Sequence, residues 1–238
     1  MMLAVTAFRP FSAEHGITLL IGAGCIAALI FAGRKGGNSR KLATAVLAFC
    51  NLAAYPMNLA AWMAPDITPA MDNLLPFHLC DIAAITAGFA LLTRKRTLAA
   101  LTYFWGLAAT FQALLTPAIS VGFPAWAFLT FFIQHFAIVG AALFLPIVDG
   151  WRPERPWWKS PLKIYGITAI YLLSAMGINA LLGTNFAFAS RPPDNPSLID
   201  HLGPWPVYLV SLNVICLAVF LLLALPFLGR GKPAGTKP

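Results

Sequence analysis

The chain has 238 residues, is 59% hydrophobic and only 10% charged, and carries a formal net charge of +8 with a mean hydropathy of +0.77. Soluble domains carry roughly 25% charged residues, so a soluble domain is excluded: at this length it could not hide so much apolar surface, and the solvent must be lipid. The basic residues fall in short clusters between apolar runs, which is the pattern of membrane topology and not of a nucleic-acid-binding face.

Taken in order, the apolar runs predict seven membrane helices, at about 16–33, 42–63, 74–92, 98–115, 125–148, 164–182 and 207–228, each near the roughly 20 residues that cross a bilayer. Helices are the expected form, because isolated strands could not satisfy their backbone polar groups in lipid. The reading is a single all-α, polytopic integral membrane domain over 1–238. Its ending, 230–238, is a polar tail expected to be disordered. No repeat is visible, and the start of the chain lacks the basic segment of a cleaved signal peptide. The clearest proline inside a run is Pro56.

Charge orients the spans. The segments 34–41, 94–96, 151–163 and 230–238 carry four, three, four and three Lys and Arg, 14 of the chain's 16; only Arg9 and Arg191 fall elsewhere. With seven crossings all four segments lie on one side, so the N-terminus is expected outside and the C-terminus in the cytoplasm of a bacterial cell, in a multi-pass protein of the cell membrane. Trp151, Trp157, Trp158 and Trp205 fall at the predicted interfaces, where indole rings are favoured.

The polar residues within the spans then acquire a depth. His78, Cys80 and Asp81 fall in the outer third of the third span, Gln112 in that of the fourth, and Gln134 and His135 near the middle of the fifth. Asn58, Asn179 and Asn213 fall in outer halves and Asn51 near mid-depth. A polar cavity open towards the outer face is expected. Interhelical hydrogen bonding is the plainer explanation of any one amide, but it gives no reason for all of them to favour one leaflet.

His78 and Asp81 are three apart on one helical face and are expected to pair, with Pro76 in the first helical turn. His78 and Cys80 point nearly opposite ways at about 100° per residue, so a base for Cys80 must come from another helix, and His135 is the other histidine well inside a span. A Cys–His pair is one way to make a nucleophile. The alternatives are a small buried cysteine, the reading for Cys25, Cys50 and Cys216, and a buried histidine bonded to Gln134, Gln112 or a carbonyl. The cysteines form no disulfide framework. His78, Asp81 and His135 are chemically able to ligate a metal, but no local spacing supports a metal site. The sequence calls for no cofactor.

The segments Leu75-Pro76-Phe77-His78-Leu79-Cys80-Asp81, Tyr103-Phe104-Trp105-Gly106-Leu107 with Gln112-Ala113-Leu114-Leu115-Thr116-Pro117, Phe131-Phe132-Ile133-Gln134-His135, Gly183-Thr184-Asn185-Phe186, and Asn195-Pro196-Ser197-Leu198 to Leu202-Gly203-Pro204-Trp205-Pro206 carry a resemblance. The chain resembles the bacterial YwaF-like integral membrane family over nearly all its spans, and that family is similar to the transmembrane protein 164 acyltransferases of animals. These in turn look like the androgen-induced lipid hydrolases, which use Thr and His in similar places. The resemblance implies a lipid-modifying enzyme with Cys80 as nucleophile and His135 as base. It would act on a membrane phospholipid or lysophospholipid as acyltransferase or acyl hydrolase.

In that reading Asp81 and His78 orient neighbours or bind the headgroup, and Gln112, Gln134 or Asn179 supplies oxyanion donors. The alternatives are a non-enzymatic transporter or small-molecule-binding protein using the same cavity, and a structural subunit of a larger assembly. No nucleic-acid partner is expected, and the sequence names no protein partner.

Overall fold

In hydrocarbon a backbone amide finds no water, so each apolar run closes its hydrogen bonds within itself. The computed structural model of the protein describes residues 7–63, 70–193 and 196–229. Among these, seven helices are long and apolar enough to cross a membrane, and there is no β-strand beyond an isolated bridge, Ala7 to Val121. The expected turn around Asp66, the Asp194-Asn195 dipeptide and the tail 230–238 lie outside the described residues.

The first span is α1 (Ala13–Arg34), capped by the Ser12 side chain, which accepts from the His15 N–H at 3.3 Å. The second is α2 (Gly37–Trp62), which starts five residues before the expected boundary and runs through Pro56. The third comprises a single turn, α3 (Met71–Leu74), a bend, and α4 (Leu79–Thr93). The fourth is α5 (Arg96–Trp105), a π-helical stretch at Gly106–Thr110, and α6 (Phe111–Leu115). The last three are α7 (Trp126–Ile147), α8 (Lys159–Leu182) and α9 (Val207–Ala224), which continues as a 3-10 turn to Phe227. Pro56 is not alone: Pro146 also lies inside a helix, near the end of α7.

α7 is the central helix. In its most apolar stretch 72% of residues are buried, against 17% in α1 and α8 and 22% in α9. The outer helices turn Leu20, Phe31, Leu173, Leu181 and Val210 outward, a surface suited only to lipid. The interior between α2, α4 and α7 is built from small residues, including Ala43, Ala48, Ala87, Ala90 and Ala141. Small residues let backbones approach, so helices gain dispersion contact where no hydrophobic drive separates them from lipid.

The basic segments meet at one end of the bundle. Arg40 and Arg94, from α2 and the end of α4, both pair with Asp149 after α7, and the Asp149 side chain is 5% exposed. A buried carboxylate is therefore present at this end too, beside the polar groups expected mostly at the other.

Candidate functional site

The third span departs from the sequence reading at its start. A residue before proline is pushed out of the helical region, and Leu75 before Pro76 has ψ 135°. The helix therefore begins at Leu79, not Leu74, and Pro76 lies in the bend before it. His78 becomes the residue that caps α4, and Cys80 and Asp81 fall in the first turn, where the backbone N–H groups give a local positive potential. Cys80 and His78 are half-buried, whereas Asp81 is 7% exposed.

Asp81 does not pair with His78. Its Oδ1 accepts from Gln134 Nε2 of α7 at 2.9 Å, and Gln134 Oε1 accepts from Asn58 Nδ2 of α2 at 2.6 Å. No ion pair or hydrogen bond joins His78 to Asp81 among the described residues. The local i, i+3 pairing loses to a partner from another helix because Gln134 is buried at 2%, and a buried primary amide with no partner is costly. Asn51 does similar work deeper in the bundle, donating to the Leu47 and Ala137 carbonyls at 2.8 and 2.9 Å.

His135 is buried at 3%. Its Nδ1 lies 2.7 Å from the carbonyl oxygen of Phe131, and its ring stacks on Phe131 with centroids 4.0 Å apart. A carbonyl only accepts, so this contact places the proton on Nδ1 and leaves the Nε2 lone pair as the acceptor. His135 lies one helical turn before Ile138, and Ile138 belongs to the cluster with Ala84, Phe104 and Trp105 against which Cys80 packs. No hydrogen bond joins Cys80 to His135 among the described residues.

The π-helical stretch lies across from this part of α7. Gly106 opens it, and a Cβ there would sit 2.8 Å from Ala142 Cβ and 3.3 Å from the Ile138 carbonyl oxygen, so the close approach of the two helices needs glycine. π-helical turns are uncommon and are found frequently at functional sites. Half-buried Gln112, just beyond it, donates to Thr116 Oγ1 at 3.2 Å.

Asn179 closes α8 at the same end. Its Oδ1 accepts from the Phe186 N–H at 2.8 Å and Thr184 Oγ1 at 2.9 Å, and its Nδ2 donates to the Phe186 carbonyl at 3.0 Å. Gly183 at φ 68° makes the turn out of α8. The loop that follows folds over the start of α4: buried Phe186 meets His78 edge-on at 5.1 Å and Phe77 at 5.4 Å. Tyr171 of α8 donates to the Phe77 carbonyl at 3.0 Å.

Asp81, Gln134 and Asn58 thus form one chain across α4, α7 and α2, and Cys80 packs against a cluster that includes Ile138, one turn along α7 from His135. Gln112 and Asn179 bond within their own segments. Sequence reasoning did not find Phe186 and Tyr171, which wall the start of α4. Phe186 lay inside a quoted motif, but an aromatic residue in a loop carries no chemical signal of its own. Among the described residues no group of three His, Cys, Asp or Glu side chains is placed to hold a metal ion.

A protein of Treponema pallidum (strain Nichols), named only as uncharacterized, is 29% identical over 158 residues, which are 65% of this chain. The chain spans about 63% of the length of that relative. No solved structure matches. The sequence model of the TMEM164 family matches residues 10–224, which include every site residue described above and all of the spans except the final turn of the last. This multi-pass membrane protein belongs to the TMEM164 family.

Proposed function

We propose that the protein is a thiol-dependent lipid acyltransferase or acyl hydrolase, with Cys80 as nucleophile and His135 as base. The observation that carries this reading is the buried His135 imidazole, whose Nδ1 is committed to the Phe131 carbonyl so that Nε2 is left to accept a proton. Cys80 is half-buried in the first turn of α4.

In the first step the Cys80 thiol gives its proton to His135 Nε2 and its sulfur attacks the ester carbonyl of a phospholipid. The ester C–O bond breaks, and the leaving lysolipid oxygen takes the proton from His135. In the second step a lysolipid, alcohol or water attacks the thioester carbonyl while His135 accepts its proton, and Cys80 recovers that proton as the C–S bond breaks. Gln112, Gln134 and Asn179 are the amides that would serve as oxyanion donors. Asp81 holds Gln134, and His78 with Phe186 borders the approach to Cys80.

The basic end faces the cytoplasm of a bacterial cell, by the distribution of Lys and Arg, and the Cys80 end faces outward. The test is intact-protein mass spectrometry after incubation with phospholipid, beside Cys80→Ala and His135→Ala. A hydroxylamine-labile acyl adduct on the parent protein and on neither variant is the expected result. Turnover of phospholipid undiminished in both variants would end this reading in favour of a binding or transport protein.

A further inference from the structure

We propose that the basic end of the bundle binds the phosphate headgroup of an anionic phospholipid, in a cavity between the start of α5 and the segment that leads into α8. This site is separate from the Cys80 end and stands or falls independently of the function proposed above.

The cavity has a volume of about 500 Å³. Arg96, Arg152, Arg155 and Lys159 line it, against one acid, Glu154, with the Phe227 ring in its wall. Glu154 is engaged by Lys159 at 2.9 Å and Lys163 at 3.6 Å.

Helix geometry adds to this charge. Arg96 is the first residue of α5 and Lys159 the first of α8, and neither helix start has a side-chain cap. A helix N-terminus carries partial positive charge and disfavours cations. Helix starts hold phosphate through free N–H groups, and arginine holds it through paired N–H donors.

Part of the site is set before any ligand arrives. Arg152 Nη1 donates to the Pro146 and Trp151 carbonyls at 2.7 and 2.6 Å, and the guanidinium lies over the Phe227 ring at 5.4 Å. Arg96 donates to the Arg152 carbonyl at 3.2 Å. A side chain already ordered loses less entropy on binding. The source of the phosphate follows from position: exposed Trp157 and Trp158 flank the cavity, and exposed indoles at the end of a membrane bundle sit at headgroup level. A phosphate held there arrives on a lipid.

The test uses the full-length protein in a neutral detergent, titrated with dioctanoyl phosphatidylglycerol, dioctanoyl phosphatidylcholine or inorganic phosphate and read by microscale thermophoresis. Phosphatidylglycerol is expected to bind saturably and at least tenfold more tightly than either of the others. The double variant Arg155→Gln/Lys159→Gln is expected to lose at least tenfold in phosphatidylglycerol affinity with unchanged helical circular dichroism. Arg155→Gln alone, at an exposed position, is expected to lose about threefold should the double variant misfold. Lys41→Gln, at the same end but outside the cavity, is expected to change nothing. Equal binding of the two lipids, or equal loss in Lys41→Gln, would overturn the site in favour of diffuse charge attraction. Inorganic phosphate binding as tightly as phosphatidylglycerol would overturn the lipid assignment in favour of a small-anion pocket.

Discussion

Gln134 Nε2 lies 2.9 Å from Asp81 Oδ1, which ties the most buried helix of the bundle to the first turn of the helix that bears Cys80. Gln134→Leu leaves the Asp81 carboxyl and the Asn58 amide without their partner and is expected to destabilise the fold by about 1–3 kcal/mol. Asp81→Asn keeps an acceptor in place and is expected to cost less than about 1 kcal/mol. Unfolding in mixed micelles of a folding lipid and SDS measures both. Equal losses would mean that the bond to Gln134 is not what holds Asp81.

Gly106→Ala places a methyl 2.8 Å from Ala142 Cβ. Overpacking of this kind costs about 1–3 kcal/mol. Adding Ala142→Gly is expected to restore most of the loss, because it removes the atom that the new methyl meets. A double-mutant cycle on unfolding midpoints tests this. Additive losses would show that the approach of the two helices is not the reason for glycine at 106.

Asn179→Ala removes all three hydrogen bonds that hold Thr184 and Phe186 to the end of α8. The loop is expected to loosen while the seven spans persist. The measurement is limited proteolysis, with cleavage within 183–193 accelerated about tenfold or more, since local opening sets the cleavage rate. An unchanged rate would mean that Phe186 packing against Phe77 and His78 is enough by itself.

Glu154→Gln removes the one acid of the basic cavity and releases Lys159 and Lys163. The hydrogen bond from Lys159 holds the Glu154 carboxyl below its ordinary range, so it is anionic at neutral pH and subtracts from the positive field. The variant is expected to bind phosphatidylglycerol about two- to fivefold more tightly in the thermophoresis assay. A loss of affinity would mean that Glu154 positions the lysines and that the position matters more than the charge.

The seven spans were legible because each is a run of apolar residues of bilayer length. The boundaries were less legible. Gly37 to Lys41 begin α2 although they are polar, because a helix can rise from the interface before it meets lipid. The start of α4 was readable in principle, since Pro76 restricts Leu75, but its apolar neighbours hid the bend. The His78–Asp81 pairing failed for a different reason: Gln134 lies 53 positions away from Asp81, and local spacing carries no information about it. Arg40 and Asp149 are 109 positions apart and were equally hidden. The π-helical stretch depends on how closely α7 approaches Gly106, which is a property of two helices and is written in neither alone.

That stretch also fixes the bookkeeping of the fourth span. An α-helix advances one turn in 3.6 residues, whereas a π turn holds an additional residue within its hydrogen-bonded ring. Residues Gly106–Thr110 therefore act as a phase shifter. The side chains from Arg96 to Trp105 and those from Phe111 to Leu115 each meet their neighbours as two halves of a helix one residue shorter would. Excising Ala108 alone should convert the π turn to α and leave both halves in register. The same excision within α7 should rotate every later side chain by about 100° and abolish folding. The fourth span is in this sense a helix with one removable residue.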